Sequence, residues 1–128
     1  MTWYFLGHVL YRIAQAGIRE LPRDRLISLI HDLSMNIKIW QDKAEVMNDL
    51  ETLRRFGLVA ITDDGRILLD SARLARLEDV LAKDVILNDP IYYQAYLFKR
   101  LDSELSRLVK KLVRELHGAH AEARKHTT

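Results

Sequence analysis

The sequence predicts a mainly α fold carrying one small β-hairpin, followed by C-terminal dimerisation helices. Three observations predict it. Apolar residues recur at helical intervals through most of the 128 residues. An Asp-Gly pair separates two β-prone runs between residues 58 and 69. A late segment spaces its large apolar residues 3, 4, 3 and 4 apart, the seam of a coiled coil.

The helices follow from apolar spacing and end signals. From Trp3 to Ala16, Phe5, Leu6, Val9, Leu10, Ile13 and Ala14 make a face that Gly17 terminates. A second helix is expected to begin near Pro22, suited to a first turn, and to carry Leu26, Ile27, Leu29, Ile30 and Leu33 toward Ser34. Residues 35–41 alternate polar and apolar and read as an extended connection. Asp42 and Glu45 then form a capping-box pattern for a third helix, which buries Val46, Met47, Leu50 and Leu53 and stops at Gly57.

Leu58–Thr62 and Arg66–Leu69 are the two β-prone runs, joined through Asp63, Asp64 and Gly65. Asp70 caps a fourth helix, with Leu69 and Leu74 placed as a hydrophobic staple. Leu74, Leu77, Leu81 and Val85 form its apolar face, and Asn88-Asp89-Pro90 interrupts it and starts a last helix. The division expected is 1–70 as one domain, 71–118 as a helical arm and 119–128 as a polar tail.

Composition narrows the class. The chain is 48% hydrophobic and 30% charged, with 5 Gly, 2 Pro and no Cys. That apolar share is too high for a disordered chain, and this length can bury a real core. Without cysteine there is no disulfide framework, zinc-thiolate site or thiol nucleophile. The N-terminal residues have neither the positive charge nor the unbroken apolar run of a secretory leader. No apolar stretch approaches the roughly 18 residues of a membrane span. A soluble cytoplasmic protein without a membrane partner is expected. The net charge of +2 is unevenly spread: residues 41–70 hold four basic and seven acidic side chains, and both flanking segments are net positive.

Residues 42–70 (DKAEVMNDLETLRRFGLVAITDDGRILLD) carry the distinctive pattern: a leucine-bearing helix closing on Gly57-Leu58-Val59, then a hairpin with an acidic, glycine-containing tip. This resembles the third helix and wing of winged helix-turn-helix domains, the DNA-binding superfamily of MarR-like, PadR-like and ArsR-like regulators. The resemblance covers roughly residues 5–75. It implies a recognition helix, a wing, and double-stranded DNA as partner.

With Leu50 at the centre of the buried face, a helical step of about 100° turns Gln41, Glu45, Asn48, Thr52 and Arg55 outward. Gln41, Asn48, Thr52 and Arg55 are the base-reading candidates, since amides and guanidinium bond base edges in pairs and threonine meets phosphate or a thymine methyl. Arg23, Arg25, Lys38 and Arg66 are the candidates for backbone phosphates or, through the wing, the minor groove. The function expected is sequence-specific DNA binding by a homodimeric transcriptional regulator. The alternative is a winged-helix adaptor that docks another protein, a use that the acidic Asp63-Asp64 tip permits.

Dimerisation is expected through Phe98, Leu101, Leu105, Leu108 and Leu112, a narrow seam that one helix alone cannot bury. The other reading of this row is a last helix packing back across its own domain. Tyr92, Tyr93 and Tyr96 form an aromatic patch better suited to packing than to an effector, whose existence the sequence leaves open. No phosphate-cradling glycine loop and no nucleophile with a base at recognisable spacing is found, so no enzyme activity is expected. His117 and His120 lie one turn apart, and a solvated tail accounts for them better than a metal does. Neither cofactor nor metal is expected.

Overall fold

The computed structural model describes residues 2–34, 38–77, 79–80 and 103–117. It is mainly helical with a small three-stranded antiparallel sheet. The elements run α1 (Thr2–Gln15), β1 (Glu20–Pro22), α2 (Arg23–Leu33), α3 (Lys43–Arg55), β2 (Ala60–Ile61), β3 (Arg66–Leu68) and α4 (Ser71–Leu74). A further helix covers residues 103–117.

Helix α1 is the centre of the fold. Its Trp3–Gly7 run, Val9, Leu10 and Ile13 are all buried, and it packs against α3 and α4. α1 and α3 end in the same way. Ile18 N–H donates to Ile13 O and Gly17 N–H to Ala14 O, while Leu58 N–H donates to Leu53 O and Gly57 N–H to Arg54 O. This paired closure needs a left-handed residue, supplied by Gly17 at φ 94° and Gly57 at φ 75°. Leu53 and Leu58, joined by that closure, are both fully buried, as such a stop favours.

The capping-box expectation holds with one change. Asp42 accepts the Glu45 N–H at 2.9 Å, but Glu45 reaches back to the Gln41 N–H, one residue before the cap, at 2.8 Å. Asp70 caps α4 through Ala72 N–H, as expected.

Two expectations about local structure are corrected. The second helix begins at Arg23, beside the expected position, but Pro22 is its N-cap and not part of its first turn, and it also ends strand β1, which the sequence did not announce. Strand β1 lies at the sheet edge in the order β1-β3-β2, with Leu21 opposite Ile67 and Pro22 opposite Arg66. An edge position tolerates proline because the missing N–H can face away from the ladder. Leu69 N–H donating to Arg19 O and Arg23 N–H to Gly65 O hold the two ends of β1. The second correction is in α3, where Met47 is exposed and Asp49 is buried in its stead.

Hairpin β2–β3 forms where expected. Thr62 N–H donates to Arg66 O at 2.8 Å, leaving Asp63, Asp64 and Gly65 as the tip. Ala60 faces Leu68 and Ile61 faces Ile67.

The described residues of the segment expected as an arm contribute to the same apolar cluster as the first 70 residues. Leu74, Leu77, Leu105, Leu108, Val109 and Leu112 join one apolar cluster with α1, α2 and α3. Arg12 Nη1 of α1 donates to Ser106 Oγ at 2.6 Å, tying the last helix to the first. Leu105, Leu108 and Leu112 are thus buried within their own chain, as in the reading of a last helix that packs back across its own domain. Phe98, Leu101, Tyr92, Tyr93, Tyr96, the Asn88-Asp89-Pro90 interruption and the tail expected over 119–128 lie outside the described residues.

Candidate nucleic-acid interface

The outward side of α3 is set by what its inner side buries. Val46, Asp49, Leu50 and Leu53 face the core. At about 100° per residue their centre lies near Leu53 and Val46, not at Leu50. The opposite face therefore centres on Ala44, Asn48, Glu51 and Arg55, a turn of about 50° from the sequence expectation. The rotation follows from Met47 turning out and Asp49 turning in. Trp40, itself buried, donates its indole N–H to Asp49 Oδ2 at 2.7 Å. The carboxyl is held above the usual carboxylate range, first by burial, against the opposing effects of hydrogen bonds from Thr2 and Trp40 and the amino-terminal charge. A buried aspartate was not legible, because no sequence pattern tells an inward Asp from an outward one.

The four base-reading candidates are not equivalent. Gln41, Asn48 and Arg55 are exposed, and their side chains make no hydrogen bond or ion pair among the described residues. Thr52 is half-buried and donates its hydroxyl to Asn48 O at 3.0 Å, which uses its one proton inside the helix. Gln41 and Asn48 line one cleft of about 510 Å³, with Asp42, Glu45 and Asp49 around them. Arg55 stands two turns further along, about 10 Å away on the helix axis.

The candidate phosphate contacts also separate. Arg25 and Lys38 are exposed and unpaired among the described residues, Lys38 at φ 62°. Arg23 Nε lies 3.3 Å from Asp24 Oδ1. Arg66 is turned back along the sheet onto Glu20 and away from the hairpin tip. That tip carries Asp63 and Asp64, the latter accepting the Thr62 hydroxyl.

Charge on this surface is balanced. Along α3 and its cap, Lys43, Arg54 and Arg55 meet Asp42, Glu45 and Glu51. Arg54 grips Glu51 through Nε at 3.0 Å and Nη2 at 2.8 Å, a pair that holds the Glu51 carboxyl below its usual range. No continuous positive strip runs along α3.

The second flank of α3 is more apolar. Lys43, Ala44 and Met47 face Asp24, Ile27 and Ser28 of α2 across a cleft of about 280 Å³, and Met47 is 39% exposed. Among the described residues no group of three or more His, Asp or Glu is placed to hold a metal, and no helix is long and apolar enough to cross a membrane. Compared with known proteins, the chain matches no family model, no curated sequence and no solved structure.

Proposed function

We propose that the chain is a winged helix-turn-helix protein that binds double-stranded DNA as a homodimeric transcriptional regulator. One observation carries the reading: helix α3 presents Asn48 and Arg55, exposed and without side-chain hydrogen bonds or ion pairs among the described residues, before a hairpin that belongs to a sheet ordered β1-β3-β2. Helix, strand, helix, helix and two strands in that order are what a recognition helix and wing require. Asn48 and Arg55 supply the paired donors and acceptors that read base edges, and Arg23, Arg25 and Lys38 supply phosphate contacts. Pairing of two copies uses a surface other than the buried Leu105, Leu108 and Leu112.

The test is selection of binding sites from random duplexes with the purified chain, followed by a salt titration. An enriched motif supports the proposal, and two-fold symmetry in it supports the homodimer. With Arg23, Arg25, Lys38 and Arg55 as the available cations of each copy, the log–log salt slope of a bound dimer should be no steeper than about −7. Absence of enrichment overturns it.

The charge balance favours a second reading. An acidic wing tip, a Glu51 at the middle of the α3 face and an exposed Met47 suit a protein partner better than phosphate. On this reading the same face docks a partner protein without DNA affinity, and Met47→Lys weakens that docking.

A further inference from the structure

Away from the outward face of α3, a cleft of about 360 Å³ opens where the loop after α1, strand β1, the start of α2 and the end of the 103–117 helix meet. Arg19, Arg25, Arg66 and the exposed His117 line it. Glu20 is the only carboxylate on its wall among the described residues, and it is already engaged with Arg66. Arg19 and Arg25 make no side-chain hydrogen bond or ion pair among the described residues. Two free guanidiniums sharing one cleft repel each other and attract an anion, and a guanidinium meets a carboxylate in two parallel hydrogen bonds.

The remaining wall is aliphatic. Ile18, Leu21, Pro22 and Leu116 supply it, Leu21 and Leu116 being buried. A bare inorganic anion would leave this wall unused and fill little of the space, whereas an apolar body joined to one carboxylate uses both halves.

We propose that this cleft binds a small aliphatic monocarboxylate, its carboxylate held by Arg19 and Arg25 and its alkyl chain lying on Ile18, Pro22 and Leu116. Arg66 stays with Glu20 and closes one end. The site does not rest on the DNA reading, although Arg25 belongs to both surfaces.

Calorimetric titration of the full chain, without DNA, tests it with octanoate, octanamide and inorganic phosphate as probes. Octanoate should bind at one site at least tenfold more tightly than either of the others. Arg19→Gln and Arg25→Gln should each weaken octanoate about tenfold, as expected for losing one charged hydrogen-bond donor set. Both side chains are exposed, so the melting temperature should stay unchanged. The Ile18 and Leu116 methyl resonances should shift on octanoate addition. Octanamide or phosphate binding as tightly as octanoate, or octanoate affinity unaltered in both variants, overturns the proposal. None of these outcomes depends on whether the chain binds DNA.

Discussion

Trp40 and Asp49 are joined by a buried indole-to-carboxylate hydrogen bond of 2.7 Å that ties the connection before α3 to the second turn of that helix. The bond lies on the side of α3 that Val46, Leu50 and Leu53 also turn to the core. Removing the donor leaves a buried carboxylate oxygen short of a partner. Trp40→Phe should lower stability by about 1–3 kcal/mol, read from the urea midpoint, with α3 loosened in hydrogen exchange.

Asp49 also predicts a pH effect. Burial raises its folded pKa above the usual carboxylate range, so the folded chain binds this proton more tightly than the unfolded chain does. Its contribution to stability is then least favourable at neutral pH and improves as pH falls toward that value. Asp49→Asn keeps an acceptor for Trp40 and removes the charge. Relative to the parent, the variant should gain stability near pH 7 and lose that advantage at about pH 4, as measured by paired urea titrations.

The last helix is part of the core. Leu105→Ala and Leu112→Ala should each cost about 2–5 kcal/mol in chemical denaturation, through lost burial and the cavity left behind. Sedimentation of either folded variant should match the parent, because these side chains face their own chain.

Gly7 lies in the middle of α1 and is buried. A Cβ there would come within 2.8 and 2.9 Å of the two Leu77 methyls and 3.4 Å of Leu53. Gly7→Ala gains about 1 kcal/mol of helix propensity but must displace a packed leucine, at about 1–3 kcal/mol. A net loss of about 1 kcal/mol in thermal or chemical unfolding is expected, much larger for Gly7→Val.

Glu51 separates the two functional readings. Glu51→Gln removes an acid from the centre of the α3 face and frees Arg54. A DNA-reading dimer should then bind more tightly, with a salt slope steeper by about 2, one phosphate contact from each copy. Arg55→Ala should cost about 1–3 kcal/mol of DNA affinity and relax one base position, with folding unaffected. Electrophoretic shifts on the selected site, at two salt concentrations, check both.

Much of the fold was legible because its signals are local. The apolar rows of α1 and α2, the Asp42 and Asp70 caps, the Gly57 stop and the Asp64-Gly65 hairpin each depend on residues within a few positions of one another. Strand β1 was not legible. It has three residues, one of them buried and one proline, and it exists only because β3 supplies a ladder more than forty residues away. The same limit applied to the site. Asn48 and Arg55 were readable as outward polar residues, but the engagement of Thr52 with Asn48 O, of Arg66 with Glu20 and of Arg54 with Glu51 needed coordinates.

By itself, the chain's order of residues determined where helices start and stop, where the hairpin turns and which stretches are apolar, since caps, glycines and periodicity act over one or two turns. Tertiary structure alone decided that Asp49 turns inward while Met47 turns out, that the leucines of the last helix serve the molecule's own core, and that Arg19, Arg25 and Arg66 share one cleft. Those outcomes depend on which distant surface is free to receive a side chain, and competition among distant surfaces leaves no periodic trace along the sequence.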